Sequence, residues 1–252
     1  MSYKSIYRSD LFEGQIVIVT GGGSGIGRCT AHELASVGAT VAIVGRKLEK
    51  LEAVKAEIEA TGGKVSVHVC DIREEESVIA TIDAVLALHG KIDGLVNNAG
   101  GQYRMPAEDI STKGFEAVVR NNLVGGFIFM RETYKRWMKA NGGAIVNMIA
   151  DIWHGWPNYS HSAAARGGMW TLTESVASEW ASDGVRINAV APGCIASSGL
   201  DTYEPEAQQF FRDIPKSIPL QRWGNSSEIS SAIVYLLSPG AAYITGACIR
   251  ID

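Results

Sequence analysis

Short apolar runs alternate with stretches of helical hydrophobic spacing along almost the whole chain. The apolar runs are rich in Val, Ile and Ala, which is typical of strands buried on both faces of a sheet. Seven strands are predicted in this way, at residues 15–19, 40–44, 64–70, 95–97, 144–147, 185–190 and 247–251. Helical spacing between them predicts helices at residues 28–37, 47–60, 74–89, 115–140, 162–181, 204–217 and 226–237.

The strict alternation of strand and helix predicts how these elements assemble. Parallel strands joined by right-handed helical crossovers form a doubly wound α/β sheet with helices on both faces. The pair Gly125-Gly126 is expected to interrupt the long fourth helix. No linker, repeat or low-complexity segment divides the chain, so residues 1–252 are predicted to form a single domain. Ligands of such a sheet bind beyond the carboxyl ends of the strands.

A glycine-rich turn, residues 20–27 (TGGGSGIG), follows the first predicted strand. Glycines permit positive φ and have no Cβ, so a ligand can approach the backbone closely. The N–H groups at the start of the next helix then favour a pyrophosphate. The flanking strand and helix favour a dinucleotide site over a plain tight turn. The candidate phosphate-binding residues are Gly21, Gly23, Ser24, Gly25, Ile26 and Gly27.

Charge and composition exclude several other classes of protein. The net charge is −4 and the pI is near 5.8, which argues against nucleic acid or an anionic membrane surface as a partner. The four cysteines lie far apart without a C-x-x-C pair, which indicates reduced thiols, and no metal site is expected. There is no signal-peptide pattern and no apolar run of about 18 residues. The chain is therefore expected to be soluble and cytoplasmic.

The end of the second strand bears on the choice of cofactor. An NAD-selective site places an acid there to accept hydrogen bonds from the ribose hydroxyls. This chain has Gly45, followed by Arg46 and Lys47. A guanidinium can clamp a phosphate with two hydrogen bonds, so the pattern favours NADPH over NADH. A solvated arginine at a helix start is the simpler alternative.

Three further motifs stand at strand ends: Asp71-Ile72, Asn97-Asn98-Ala99-Gly100, and Pro192-Gly193-Cys194-Ile195. Together with the G-x-x-x-G-x-G turn, they resemble the short-chain dehydrogenase/reductase superfamily over nearly the whole chain. The resemblance implies a Rossmann fold and an NAD(P)-dependent oxidoreductase.

The resemblance also implies a role for each motif. Asp71 and Ile72 would meet the adenine, although Asp71 could instead cap the helix that begins near Glu74. Asn98, Ala99 and Gly100 would let the cofactor lie against the backbone. Pro192, Gly193 and Ile195 would meet the nicotinamide carboxamide, helped by Ser197 or Ser198.

The chain departs from this superfamily at its catalytic residues. Carbonyl-reducing members have a Ser, a Tyr thirteen residues later and a Lys four residues after that. Here the Tyr position holds Ser162, the Lys position holds Arg166, and the Ser position falls at Ile149 or Ala150. Tyr159 does not restore the pattern, because Ala163 stands where the lysine would be.

At these positions the chain resembles reductases that act on carbon–carbon double bonds of acyl-CoA thioesters. The stretch His161-Ser162-Ala163-Ala164-Ala165-Arg166 looks most like the trans-2-enoyl-CoA reductases of peroxisomes, and 2,4-dienoyl-CoA reductases are next. The stretches 97–103, 106–108 and 113–115 also match. Hydride transfer to such a substrate places charge on the thioester oxygen, which calls for oriented donors.

The resemblance implies the following roles for individual residues. Ser162 and Tyr159 are the candidate donors, Arg166 would bind the nicotinamide ribose, and Asn122 matches the active-site asparagine. Tyr159 could equally be part of the pocket wall. A structural role is favoured for His161 over a catalytic one, which stays open, and contact of Asp151 with substrate is also left open.

The substrate is predicted to be a small molecule with an apolar chain. Aromatic and proline residues after the fifth and sixth strands suggest an apolar pocket under a flap, namely Trp153, Trp156, Pro157, Tyr203, Phe210 and Phe211. An acyl chain and a terpenoid would suit it equally. No basic patch for CoA phosphates is obvious, and Arg104 and Lys113 are the candidates.

The long helices lead to an expectation about the oligomeric state. Large apolar residues on two long helices predict a homotetramer, or at least a dimer, and these are Phe127, Phe129, Met130, Trp137, Trp170 and Trp180.

The missing triad leaves two other functions open. One is a dehydrogenase of an apolar alcohol or aldehyde, and the other is a cofactor-binding protein without catalysis.

Overall fold

In the computed structural model, which describes residues 8–196 and 213–252, a seven-stranded parallel sheet forms the centre of the chain. Its strands are β1 (Ile16–Thr20), β2 (Thr40–Gly45), β3 (Lys64–Val69), β4 (Gly94–Asn97), β5 (Gly143–Met148), β6 (Val185–Pro192) and β9 (Cys248–Ile251). The strand order is β3-β2-β1-β4-β5-β6-β9. The predicted α/β Rossmann architecture with seven parallel strands is confirmed. A separate pair of short strands, β7 (Ile195–Ala196) and β8 (Gly224–Asn225), lies outside this sheet and was not predicted.

Helices cover both faces of the sheet and bury its strands. They are α1 (Gly25–Ser36), α2 (Leu48–Ala60), α3 (Glu75–His89), α4 (Thr112–Val119), α5 (Gly125–Thr133), α6 (Lys139–Asn141), α7 (Ser160–Trp180) and α8 (Ser226–Leu237). Successive side chains of β1 enter opposite cores, with Ile18 in one and Val17 and Val19 in the other. Both faces of the central strands are therefore dry, which is why these strands are continuous apolar runs.

The expected interruption of the long helix at Gly125-Gly126 is wrong. The helix runs from Thr112 to Asn141 through α4, α5 and α6, joined by π-helical segments at Arg120–Val124 and Tyr134–Met138. A Cβ on Gly126 would lie 2.7 Å from Cε of Met169 in α7. These glycines let the helix approach its neighbours closely, and their contacts with other elements offset their low helix propensity.

The large apolar residues of the long helices divide between core and surface. Phe129 and Met130 are fully buried and Trp180 is nearly so. These three pack within the protomer and leave Phe127, Trp137 and Trp170 half-buried. The surface available for assembly is therefore smaller than the sequence suggested.

Of the two helices predicted after β6, one is confirmed with its bounds and the other is only partly described. Helix α8 has the predicted bounds, and its N-cap Asn225 forms a capping box with Glu228. Of the predicted helix at 204–217, the described part contains a 3₁₀ turn at Ile214–Ser217, and the rest lies outside the described residues. Within the described residues, no helix is long and apolar enough to cross a membrane.

The reversal of strand order between β1 and β4 opens a crevice at the carboxyl ends of the strands. The hydroxyl Oγ1 of Thr20, at the end of β1, accepts hydrogen bonds from the N–H groups of Asn98 and Ala99, each at 3.0 Å. The same hydroxyl donates to Val96 O at 3.1 Å. The loops after β1 and β4 are thus joined where ligands of doubly wound sheets bind.

Candidate functional site

The glycine-rich turn after β1 has the geometry of a tight backbone cradle. The N–H groups of Gly21 and Gly22 donate to Val44 O at 2.8 and 3.2 Å. Gly21 and Gly25 have φ of +69° and +53°, which side-chain-bearing residues rarely adopt. A Cβ on Gly27 would lie 2.3 Å from Gly21 O and 2.5 Å from Nδ2 of Asn98. The turn therefore packs directly onto the loop after β4.

Helix α1 begins at Gly25, inside the turn and three residues earlier than predicted. Its N-cap is Ser24, which is exposed and makes no side-chain capping bond. Backbone N–H groups in the first turn of a helix have no partner within the helix. Ser24 and this first turn therefore present hydrogen-bond donors at the positive end of the helix, a suitable arrangement for a pyrophosphate.

A cavity of about 240 Å³ extends from this turn past the ends of β2 and β3. It is lined by Gly21, Gly23, Ser24, Gly45, Arg46, Lys47, Lys50, Leu51, Cys70, Asp71, Ile72, Ala99, Gly100 and Asn121. Most of the predicted cofactor-binding residues of the first four strand ends thus line one crevice. The glycine cradle, the helix start and the narrow cavity fit a dinucleotide, so this chain has a suitable site for one.

Three cations border the end of this cavity near β2. Arg46, Lys47 and Lys50 are exposed, and the position at the end of β2 holds Gly45 and no acid. Lys50 was missed in the sequence analysis, although its position three residues after Lys47 on a helix could have indicated it. This end of the crevice therefore attracts an anion, such as a phosphate on the ribose.

Asp71 is held by its neighbour and does not cap α3. Its carboxylate accepts hydrogen bonds from Arg73 at 2.9 Å (Nε to Oδ1) and 2.5 Å (Nη2 to Oδ2). These bonds, with a smaller effect from the charge of Arg46, hold the pKa of Asp71 below its usual value. The N-cap of α3 is Glu74, so the capping alternative for Asp71 is wrong. The carboxylate is ionised and faces the cavity.

Arg166 lies in the second turn of α7, against Gly100 in the wall of the nucleotide cavity. It is buried, and its Nη1 donates to Met148 O at 2.5 Å. Burial lowers its pKa to about 10, so the guanidinium remains charged at neutral pH. A Cβ on Gly100 would lie 2.5 Å from Nη2 of Arg166 and 2.4 Å from Oδ1 of Asn122. Gly100 therefore brings the loop after β4 into contact with two of the four predicted catalytic side chains.

Asn122 occupies the π-helical segment Arg120–Val124. Its Oδ1 accepts from Gly101 N at 3.0 Å, and its Nδ2 donates to Gly101 O at 2.7 Å and to Val118 O at 3.0 Å. The side chain thus fixes the loop after β4. Asn97 performs a similar task in the sheet, where its Nδ2 donates to Oδ1 of Asn147 at 2.9 Å.

The first turn of α7 contains two buried polar groups without partners among the described residues. They are Oγ of Ser162 and Nε2 of His161, both on fully buried residues. Tyr159, the N-cap of α7, is half-buried and stacks on Trp156 with ring centroids 4.9 Å apart. Ser162 precedes Arg166 by one helical turn and lies on the same helix face. The start of α7 therefore presents a cluster of unused hydrogen-bonding groups next to Arg166.

The turn after β6 is fixed by neighbouring strands. Gly193 N donates to Ile251 O at 2.9 Å, and a Cβ on Gly193 would lie 2.8 Å from Cα of Asp252. Ile195 pairs with Gly224 in the short strand pair. Pro192, Gly193 and Ile195 thus form a rigid edge at the end of β6. Ser197 and Ser198 lie outside the described residues.

A second cavity, of about 560 Å³, lies beyond the ends of β6 and β9. Its walls are mixed in character, with Ile195, Ile218, Pro219 and Leu220 beside Asp151, Arg222, Glu228, Arg250 and Asp252. Both arginines are neutralised, since Arg222 pairs with Glu228 and Arg250 with Asp252. Within the described residues, this cavity is therefore not the apolar pocket that the sequence predicted.

The aromatic residues expected in that pocket are only partly described. Trp153 lies against the guanidinium of Arg250, whose Cζ is 5.1 Å from the ring centroid, and Asp151 Oδ1 is 3.7 Å from the same arginine. Trp156 contacts Tyr159 as above. Tyr203, Phe210 and Phe211 lie outside the described residues.

This chain is similar to known proteins over nearly its whole length. A family model described as enoyl-(acyl carrier protein) reductase matches residues 21–252. The peroxisomal 2,4-dienoyl-CoA reductase of Danio rerio is 35% identical over 99% of this chain and 84% of that protein. A probable 2,4-dienoyl-CoA reductase of Bacillus subtilis is 36% identical over 95% of this chain and 96% of that protein.

A solved structure is also similar over almost its entire length. It is a citronellol catabolism dehydrogenase of Pseudomonas aeruginosa PAO1, with 55% identity and a TM-score of 0.88. The match covers 99% of this chain and 98% of that chain. The fold and crevice define a nucleotide-dependent oxidoreductase. The chain belongs to the short-chain dehydrogenase/reductase superfamily.

Proposed function

We propose that this protein uses NADPH to reduce the carbon–carbon double bond of an enoyl-CoA thioester. The observation that supports it is the pair Ser162 and Arg166, at the positions where carbonyl-reducing relatives have Tyr and Lys. A serine hydroxyl is a far weaker acid than the phenol of tyrosine, so Ser162 is a poor replacement for that residue as a general acid. A buried arginine supplies positive potential but does not exchange protons at neutral pH.

The chemistry of enoyl reduction suits these residues. The bound cofactor would supply a hydride to the β carbon, and the electron pair of the double bond would move towards the thioester oxygen. The site must then stabilise a negative oxygen, which oriented hydrogen-bond donors do well in a water-excluded crevice. Ser162 Oγ is such a donor, with Tyr159 as a second candidate. Arg166 would bind the nicotinamide ribose and contribute positive potential.

The remaining site residues would hold the cofactor along the crevice. Gly21, Gly23, Ser24, Gly25, Ile26 and Gly27 would bind the pyrophosphate. Asp71 and Ile72 would contact the adenine, Asn98, Ala99 and Gly100 the adjoining part of the cofactor, and Pro192, Gly193 and Ile195 the carboxamide. Asn122 would position the loop that contacts Arg166.

Two exposed cations near the crevice support a CoA thioester as substrate. Tyr103 brings two segments together, since a Cβ on Gly114 would lie 2.2 Å from the tyrosine hydroxyl. Arg104 and Lys113 flank this contact, one in each segment, and both are exposed. Their charges attract the phosphates of CoA at the side of the site where Tyr103 contacts α7.

Replacing both Arg104 and Lys113 with Ala should therefore raise the KM for an enoyl-CoA by on the order of tenfold, as expected for exposed ion pairs. The same acyl chain on N-acetylcysteamine, which has no phosphates, should show an unchanged KM. The control variant Lys139→Ala removes an exposed cation from α6 and should affect neither substrate. Steady-state kinetics measures all three, and equal effects on both thioesters would contradict the phosphate role.

Cofactor preference is tested at Arg46. The variant Arg46→Ala should weaken NADPH binding by about 1–3 kcal/mol, the range for losing a charge-assisted hydrogen bond, and leave NADH binding nearly unchanged. Fluorescence titration of the cofactor measures both affinities. Lys55→Ala, on helix α2 and outside the cavity, is the control. Equal affinity of the wild-type protein for NADPH and NADH would refute the preference.

A second candidate function is a dehydrogenase of an apolar alcohol such as a terpenoid. The similar citronellol catabolism dehydrogenase favours it. Tyr159, at the N-terminus of α7, would then be the proton-transfer group. A cofactor-binding role without catalysis is a third candidate, since the triad is absent. Turnover of NADPH with a panel of enoyl thioesters, ketones and aldehydes, and of NADP⁺ with a panel of alcohols, distinguishes the three.

We also propose a homotetramer, or at least a dimer. Phe127, Trp137 and Trp170 remain half-buried on the long helix and α7, and Phe115 on α4 is exposed. Apolar surface of this kind favours association. Light scattering should give a mass of at least twice the 27.0 kDa of one chain. A mass near 27.0 kDa at working concentration would contradict this.

A further inference from the structure

We propose that His161 is a second catalytic donor, whose Nε2–H holds the thioester oxygen together with the hydroxyl of Ser162. This inference rests on the proposed function and assigns to His161 a catalytic role, which the sequence favoured less than a structural one. Three features of the first turn of α7 support it: the tautomer of the ring, its burial, and its place beside the loop after β4.

The tautomer follows from a single hydrogen bond. Nδ1 of His161 accepts the backbone N–H of Ser162 at 2.9 Å. A ring nitrogen that accepts an amide N–H carries no proton, so the proton of the neutral ring is on Nε2. The bond also folds the imidazole over the N-terminus of the helix. His161 is thereby held as an oriented Nε2–H donor.

That donor has no partner within the described part of the chain. His161 is fully buried, and its Nε2 makes no hydrogen bond there. Oγ of Ser162, on the next residue, is also buried and makes no hydrogen bond there. Buried polar groups are nearly always paired, because an unmade hydrogen bond inside a protein is costly. Two adjacent unpaired donors indicate that a bound acceptor completes both.

The surroundings indicate where that acceptor lies. The loop after β4 contacts α7 at two levels, through Gly100 against Arg166 and through Tyr103 against His161. The rings of Tyr103 and His161 meet edge-on, with centroids 4.6 Å apart. His161 and Arg166 therefore pack against the same loop, and Ser162 lies between them in the first two turns of α7. An oxygen there also lies at the positive end of a 21-residue helix, which favours negative charge.

The reaction step gives the two donors their task. As hydride reaches the β carbon, the π electron pair forms an enolate whose charge rests on the thioester oxygen. Ser162 Oγ–H and His161 Nε2–H both donate to that oxygen without transferring their protons. Water then supplies a proton to the α carbon, and the enolate collapses to the saturated thioester.

Two substitutions separate donation from a structural role. The variant His161→Gln keeps an N–H close to the position of Nε2 but loses the acceptor for Ser162 N–H. The variant His161→Asn keeps an acceptor close to Nδ1 but loses the distal donor. If His161 is a donor, kcat for an enoyl-CoA should be at least tenfold higher for the Gln variant than for the Asn variant. NADPH affinity should be equal in both.

The opposite ranking would overturn the proposal, because it would show that the bond to Ser162 N–H is what matters. Equal kcat in the two variants would also overturn it. Thermal unfolding of both variants provides the independent readout. A purely structural role predicts that the order of kcat follows the order of Tm, whereas donation predicts that the Gln variant keeps the higher kcat whatever its Tm.

Nuclear magnetic resonance tests the same donor without turnover. In protein labelled with ¹⁵N-histidine, the ring resonance of His161 is the one that is absent from the His161→Gln variant. We expect this resonance to show the Nε2–H tautomer. Its Hε2 signal should shift when butanoyl-CoA binds to the NADP⁺-loaded protein. An Nδ1–H tautomer, or an unshifted signal with butanoyl-CoA bound, would overturn the proposal while leaving enoyl reduction intact. Absence of both binding and turnover of any thioester would instead refute the proposed function, and this inference with it.

Discussion

Replacing Ser162 with Ala should lower kcat for a trans-2-enoyl-CoA by about 10²–10³-fold, the loss typical of one oxyanion donor. The hydroxyl is fully buried and has no partner among the described residues, so its removal deprives only the bound substrate of a donor. The effect should fall mainly on kcat, because the oxygen gains charge only in the transition state. Steady-state kinetics with saturating NADPH measures it.

The matched control is Ser175→Ala, an exposed position on the same helix whose hydroxyl donates to Thr171 O. It should leave kcat and KM unchanged. A wild-type kcat in the Ser162→Ala variant would show that this residue does not stabilise the oxyanion. A large rise in KM with unchanged kcat would instead assign it to ground-state binding of the substrate.

Replacing Arg166 with Ala should damage cofactor affinity and rate together. The guanidinium is buried next to Gly100, donates to Met148 O, and places a positive charge behind the wall of the nucleotide cavity. Loss of a hydrogen bond from a charged group costs about 1.5–3 kcal/mol, or roughly 10- to 100-fold in NADPH affinity. The fall in kcat adds to this, because the positive potential near the enolate is lost as well.

Arg166→Lys is the informative partner of this variant. It keeps a cation of similar reach but loses the planar fork that can bind two acceptors at once. We expect NADPH affinity between those of the wild type and the Ala variant. Circular dichroism distinguishes a loss of function from a loss of fold. A folded Arg166→Ala protein with wild-type affinity and rate would contradict both roles of the residue.

Local signals made most of the fold predictable. A buried parallel strand is a continuous apolar run, and a glycine-rich turn before a helix leaves little choice of conformation. The seven strands and the crevice at the strand ends follow from these patterns. The bounds of the elements shifted by only a few residues, as with α7, which begins at Ser160, two residues before the predicted start.

Contacts between distant segments made the rest unpredictable. The pair Gly125-Gly126 indicated a break, but the close approach of Met169 and Ile72 to these glycines keeps the helix continuous. Propensity alone contains no information about that packing. Asp71 shows the same limit at shorter range, because the ion pair with Arg73 replaced the expected cap.

The site shows how far residue types alone can lead. The motifs at the strand ends indicated most of the residues that line the nucleotide cavity, since each motif is a short local pattern. They favoured a structural role for His161, because the lack of a partner for its Nε2 among the described residues becomes visible only when its burial is known. They also did not indicate that both arginines near the second cavity are neutralised by carboxylates. Burial and pairing are properties of the folded chain.

One measurement tests the central proposal most directly: NADPH consumption by the wild-type protein and by Ser162→Ala and Tyr159→Phe, with a trans-2-enoyl-CoA and with simple ketones. The account predicts rapid reduction of the thioester and poor reduction of ketones. It also predicts a large loss for Ser162→Ala and a mild to moderate loss for Tyr159→Phe. Rapid ketone reduction that is abolished by Tyr159→Phe and untouched by Ser162→Ala would contradict it.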